Sequence, residues 1–174
     1  MNEIFISRIL ATTTICLLFA CTGLIFALIK NEPTRLKTFL HQHAQILTLV
    51  IAISATVGSL YYSEIANFVP CDYCWYQRIA MYPITILITT SLLTKKSLNS
   101  IFLITLAILG LLISVYHYQL QIFPEQVNFC STVVPCQSKW VEEFGFVTIP
   151  FMSASAFLAI FLLQFTKTRL DEKN

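Results

Sequence analysis

Five stretches of this chain carry no Lys, Arg, Asp or Glu: residues 9–29, 44–62, 79–94, 100–118 and 146–165. Each comes near the roughly 20 residues that a helix needs to cross a bilayer. Hydrocarbon offers no partner to a backbone N–H or C=O, so each segment must satisfy its own polar groups, and helices are expected. Composition agrees, with 56% of residues hydrophobic and 11% charged, where soluble domains carry about a quarter charged. The third stretch is the shortest. Trp75, Tyr76 and Gln77 extend it as an interfacial first turn, Arg78 is expected to snorkel to the headgroups, and Pro83 to kink the helix. A net charge of +2 without a basic cluster points away from nucleic acid.

Lys and Arg set the orientation. If the segment around Cys71 faces outward, eight basic residues lie inside (Lys30, Arg35, Lys37, Lys95, Lys96, Lys167, Arg169 and Lys173) and three outside (Arg8, Arg78 and Lys139). The positive-inside rule selects this arrangement. Cys71, Cys74, Cys130 and Cys136 then share the exoplasmic side, where disulfides form and persist. Five crossings place the N-terminus outside. The first stretch is read as a membrane helix rather than a cleaved signal, because its apolar run is long and no A-x-A-like site follows.

Chemistry concentrates in Cys71-Asp72-Tyr73-Cys74, followed at once by Trp75-Tyr76-Gln77-Arg78. A C-x-x-C brings two sulfurs within bridging reach, and the first turn of a following helix favours thiolate. Arg78, four residues after Cys74, shares a helix face with the second sulfur, so the two cysteines are expected to differ and the cation to serve Cys74. The plainer role for Arg78 is a headgroup anchor. Cys130 and Cys136 enclose five residues including Pro135, a small loop that a disulfide can close. Beyond it, Trp140, Val141 and Phe144 oppose Lys139, Glu142 and Glu143 at helical spacing, which predicts a short amphipathic turn on the membrane surface. His117 and Gln121 stand i to i+4 near the outer end of the fourth stretch. An intramembrane histidine is a functional candidate, with a helix-end histidine bonded to a carbonyl as the alternative. Cys16 and Cys21, inside the first stretch, are expected to pack as small apolar residues. Glu64 is expected at a solvated helix end.

Together these motifs are specific. Cys71-x-x-Cys74-Trp-Tyr-Gln-Arg78 running into Met81-Tyr82-Pro83, the Cys130/Cys136 pair between the next two helices, and Thr148-Ile149-Pro150-Phe151 opening the last helix resemble the DsbB/BdbC family of quinone-linked disulfide-forming membrane proteins, in its BdbC-like branch. The resemblance covers about residues 44–165. It implies an all-α integral membrane fold: a four-helix transmembrane bundle with one additional N-terminal transmembrane helix and two exoplasmic cysteine loops. The chain divides accordingly into 1–43, an N-terminal transmembrane helix and cytoplasmic connector, 44–165, the four-helix oxidoreductase unit, and 166–174, a cytoplasmic tail. The family's activity implies a protein dithiol:disulfide oxidoreductase of the bacterial inner membrane, with its redox cysteines on the periplasmic side. By the same resemblance a DsbA-like thioredoxin-fold partner attacks the Cys130/Cys136 disulfide, at Cys130. Cys71 and Cys74 reoxidise that pair, and Cys74 passes the electrons to a membrane quinone, ubiquinone or menaquinone. Arg78, Gln77, His117 and Gln121 are the residues expected near the quinone.

Two other classes compete. Four exoplasmic thiolates could hold zinc or copper, although no accessory His, Met or Cys-Pro-Cys accompanies them. A noncatalytic assembly factor could use both disulfides only as braces. A vitamin K epoxide reductase-like arrangement also couples C-x-x-C to quinone, but normally carries it later in the chain.

Overall fold

The structure is a computed structural model and describes residues 2–29, 34–96, 98–126, 130 and 134–171, without the side chains of Asn2 and of residues 34–37. Four of the basic residues behind the orientation, Lys30, Arg35, Lys37 and Lys173, lie outside what is described, wholly or in their side chains. Five helices make the architecture: α1 (Asn2–Ile29), α2 (Thr34–Leu60), α3 (Asp72–Thr94), α4 (Ser100–Ile122) and α5 (Ile149–Asp171). A π-helical turn, Tyr61–Ile65, finishes α2, and two short strands, β1 (Glu142–Glu143) and β2 (Val147–Thr148), precede α5.

The protein is a multi-pass, all-α membrane protein. α1, α2 with its π turn, α4 and α5 are each long and apolar enough to cross a bilayer. α3 matches α4 in length, 23 residues, but its opening turns hold Asp72, Gln77 and Arg78, and it is not among those four. α2 begins at Thr34, well ahead of the charge-free stretch, so residues expected in a connector continue the helix. A helix does not stop where its apolar stripe stops, and Lys and Arg are good helix formers. Pro83 sits inside a continuous α3.

α5 is the hub: it packs against α4, α2 and α1, while α3 lies against α2 and α4. The main core joins Ala52, Ala80, Met81, Ile84, Ile88, Leu103, Ala107, Ala156, Phe157 and Ile160. Small residues let the backbones approach, as membrane interfaces require. Gly110 shows how closely, since a Cβ built there would fall 2.3 Å from the ring of Phe157, itself fully buried. Cys21 packs with Ala159 and Leu162 between α1 and α5, as expected of a small apolar residue, whereas Cys16 is exposed. At the end opposite the cysteines, buried Gln164 donates to Thr48 Oγ1 at 2.7 Å, and His41 pairs with Asp171.

One local expectation is overturned. Residues 139–148 form a hairpin rather than an amphipathic helical turn, with Glu142 opposite Thr148 and Glu143 opposite Val147. Phe144 (φ 54°) and Gly145 (φ 78°) both take left-handed backbone, and Phe146 N–H donates to Glu143 C=O at 3.3 Å. Two consecutive positive φ values make the tight turn that matches strand twist and that a helix cannot contain.

Candidate redox site

All eight residues singled out from the sequence gather at one end of the bundle. Cys71 is the N-cap of α3 and Cys74 lies in its first turn, with Trp75 N–H donating to the Cys71 carbonyl at 3.2 Å. This local fold sets the two sulfurs 3.1 Å apart as free thiols. Cys130 and Cys136 are joined as a disulfide, with their Cα atoms 6.1 Å apart. Cys136 is buried against Cys71 and Leu120, and Cys130 and Cys74 pack on the same cluster. The two pairs therefore share one small core above the membrane helices.

His117 connects them. Its Nε2 lies 3.6 Å from Cys71 Sγ and 3.2 Å from the Cys136 carbonyl oxygen, while its Nδ1 faces Gln77 Nε2 at 3.3 Å. With the Gln77 amide donating to Nδ1, the ring carries its hydrogen on Nε2, aimed at both the carbonyl and the sulfur. Gln121, one turn along α4, donates to the Ser138 carbonyl at 3.1 Å. Both α4 side chains thus hold the second cysteine loop over the first pair.

Cys71 and Cys74 precede the membrane-embedded part of α3, and their thiols diverge. The hydrogen bond from Cys74 pulls the Cys71 thiol well below its ordinary range, against the cost of burial, and His117 pulls it further. That same bond, with burial, pushes the Cys74 thiol up, and Arg78 only partly opposes this. Sequence spacing assigned the stabilised thiolate to Cys74; in this dithiol arrangement it is Cys71. Arg78 reads as a cation in sequence, but Cys71 gains a partner from α4, His117, which spacing along α3 does not reveal.

Arg78 does not snorkel. It is buried, donates through Nε to Ser59 Oγ at 2.9 Å and through Nη2 to the Ser59 carbonyl at 3.0 Å, and lies 5.0 Å from the Trp75 ring centroid. No carboxylate pairs with it among the described residues; Glu64 accepts from Ser63 instead. The guanidinium, Cys74 and Gln77 line a cavity of about 400 Å³ whose remaining walls are mostly apolar, within the range of small-molecule sites. His117 and Gln121 line a separate small space with Cys71, Cys74, Pro135 and Ser138. Of the four residues expected near a quinone, the structure brings Arg78 and Gln77 to the large cavity and places His117 and Gln121 against the cysteine segments.

Sequence reading missed Ser59 and the cavity's roof. Trp140 stacks on Phe68 at 5.2 Å, and Phe68 on Tyr62 at 5.7 Å; all three line the cavity. Ser59 was findable. In two antiparallel helices joined by a short connection, a polar residue one turn before the end of the first faces a polar residue one turn into the second.

Cys71, Cys74 and His117 place their ligating atoms within 4.8 Å of one another. A four-thiolate metal site is not available as the structure stands, because the Cys130–Cys136 bond uses two of the sulfurs.

Comparison with known proteins identifies the family. Residues 41–166 fit the model for the disulfide bond formation protein DsbB family. The chain is 45% identical over 122 residues to a probable disulfide formation protein of Oceanobacillus iheyensis, covering 68% of this chain and 84% of that one. It is 39% identical over 117 residues to disulfide bond formation protein C of Bacillus subtilis, covering 66% and 85%. A probable disulfide formation protein C 2 of Bacillus anthracis is 38% identical over 138 residues, 79% of this chain and 99% of that one. No solved structure matches the chain. Two cysteine pairs packed together at one end of an apolar helical bundle, and a family model that runs from within α2 to within α5, place this chain in the DsbB family of disulfide bond formation proteins.

Proposed function

We propose that the chain reoxidises a thioredoxin-fold dithiol partner outside the membrane and delivers the electrons to a membrane quinone. The observation that supports this most is Arg78: a buried cation without a carboxylate partner among the described residues, set on an apolar cavity that also opens on a redox thiol. Burying such a charge is costly unless an anion uses it. The thiolate of Cys74, and the oxygen of a quinone as it gains charge, are such anions.

The exchange balances. A partner thiolate attacks Cys130, the more accessible sulfur of the outer bond, while Cys136 is buried beside Cys71. That breaks the Cys130–Cys136 bond and leaves Cys136 as thiolate; the partner's second thiol then attacks the mixed disulfide, releasing oxidised partner and the reduced pair. Cys136 thiolate attacks an oxidised Cys71–Cys74 bond at Cys71, and Cys74 departs as thiolate beside Arg78. Attack by Cys130 on the Cys71–Cys136 bond restores the outer disulfide and returns the inner pair as dithiol. Two electrons and two protons pass from Cys71 and Cys74 to quinone, giving quinol and the inner disulfide. His117 N–H stabilises Cys71 as thiolate when it leaves. The redox unit is residues 44–165, preceded by an additional helix, and the cysteine end faces the periplasmic or exoplasmic side of a bacterial cell membrane.

Purified full-length protein, supplied anaerobically with a reduced thioredoxin-fold oxidase and a soluble ubiquinone or menaquinone analogue, is expected to convert dithiol to disulfide and quinone to quinol one for one. Oxidation of partner without quinol, or none at all, would overturn the proposal. Reporters fused after Gln137 and Lys95 are expected outside and inside, respectively; the reverse places the cysteines in a reducing compartment.

A further inference from the structure

The family match begins at residue 41, yet α1 forms one long side of the cavity that holds Arg78. Ile9, Leu10, Thr13, Thr14 and Leu17 line it, and their spacing of i, i+1, i+4, i+5 and i+8 makes one continuous helix face. That face runs about 12 Å down the membrane at 1.5 Å per residue. Opposite it, Cys74, Gln77, Arg78, Met81 and Tyr82 span a similar length of α3. The cavity is therefore elongated along the membrane normal, polar where α3 begins and apolar deeper, where Leu17, Val50, Ile51 and Ala156 converge.

α1 is held in this position at several heights. Tyr62 donates to Ser7 Oγ at 3.2 Å, Arg8 pairs with Glu143 of the hairpin at 3.6 Å, Leu10 Cδ1 lies 3.7 Å from where a Cβ on Gly58 would stand, and Cys21 packs on α5. A second observation points to a ligand within. Tyr82, one turn deeper than Arg78, lines the same cavity, and its hydroxyl is buried with no hydrogen-bond partner among the described residues. A buried hydroxyl left unbonded costs stability that a ligand oxygen would restore.

Resting on the quinone reading above, we infer that α1 completes the quinone site: the ring lies between Cys74 and Arg78 at the polar end, and the isoprenoid tail lies against the α1 face of Leu10, Thr14 and Leu17. α1 is then a specificity element for tailed quinones rather than an anchor. The apolar, elongated shape suits a polyprenyl chain, and the polar groups at one end fix which end of the molecule faces the thiols.

Quenching of tryptophan fluorescence reads binding without turnover, since Trp75 and Trp140 both stand near the polar end. The titrants are a quinone with two isoprene units and the same ring without a tail, added to the full-length protein in detergent. Thr14→Phe, which fills the cavity, is expected to weaken binding of the tailed quinone about tenfold, and to change binding of the bare ring by no more than about twofold. Leu17→Ala, which keeps the helix and removes tail contacts, is expected to give a smaller loss in the same direction. Phe19→Ala, on an exposed part of α1, is the control and is expected to bind as wild type. Equal losses for both quinones, or none for either in Thr14→Phe and Leu17→Ala, overturn the assignment of α1 while leaving quinone use intact. A wild-type protein that binds neither quinone overturns the functional reading and this inference with it.

Discussion

The two cysteine pairs lie in one cluster, yet they are built on opposite principles. Cys71 and Cys74 sit on the rigid start of α3, with a histidine on one side and an arginine and an apolar cavity on the other. Cys130 and Cys136 sit on a loop that borrows its position from α4 through the bonds of His117 and Gln121 to its carbonyls. One pair is tuned by fixed charges and dipoles; the other is placed, on the proposed reading, where a large partner can reach it. Where the electron acceptor is small and lipid-soluble, the sulfur belongs on a helix at the membrane. Where the donor is a folded protein, the sulfur belongs on a loop outside the helices.

Removing either pair is the severest way to separate these roles. Cys74→Ser is expected to lower quinone reduction on the order of a thousandfold or more, to background, measured by quinone absorbance with a small dithiol as donor. Activity near wild type there would leave the inner pair without its role. Cys136→Ser is expected to abolish oxidation of the protein partner and to trap it through Cys130 as a mixed disulfide on nonreducing gels. With the small dithiol, that variant should still reduce quinone. A partner captured through Cys136 in Cys130→Ser, and not through Cys130, would reverse the order of attack.

A smaller effect sharpens the helix side of the comparison. Arg78→Met removes a positioned cation, and about a hundredfold loss in kcat/KM for quinone is expected, the scale of losing one preorganised charge stabiliser. Arg78→Lys should recover part of it, and exchange between the outer pair and the partner should be indifferent to both. Smallest is His117→Ala. A depressed thiol stays thiolate down to its own lowered pKa, so Cys71 of the reduced wild type is expected to alkylate readily as pH falls toward about 6. Loss of the imidazole raises that pKa, and iodoacetamide labelling at that pH should slow about tenfold, with little change above the ordinary thiol pKa near about 8.5. Labelling that is equally fast in both proteins would remove His117 from the relay.

Much of this site was legible before any coordinates. The five helices follow from five uncharged stretches, and the two cysteine pairs from their spacing and the resemblance they carry. The thiolate's address was not legible, because it depends on which helix approaches Cys71, and His117 is 46 residues away in sequence. Residues 139–148 misled for a different reason: apolar residues at i, i+1 and i+4 suit a helical turn and a short hairpin alike, and Gly145 decides between them. Arg78 was expected at the headgroups because a sequence shows a cation near a helix end but not the serine across from it. α1 was visible as a helix and silent about its purpose, since the family likeness carries nothing for a segment it does not reach.

The central place of α5 bears on how the protein comes into being. More than half of its most apolar window, 56%, is covered by the rest of the molecule, against 17% for the corresponding windows of α1 and α2. It also follows the other four helices in the chain. Until it inserts, α1 lacks the Ala159 and Leu162 surface on which Cys21 docks, and Gly110 of α4 lacks the ring of Phe157. α3 can pack on α2 and α4 before α5 inserts, but until then α1 lacks its main partner and the cavity lacks the wall of Ile149, Met152, Ser153 and Ala156. The cavity beside Cys74 is therefore complete only once α5 has inserted.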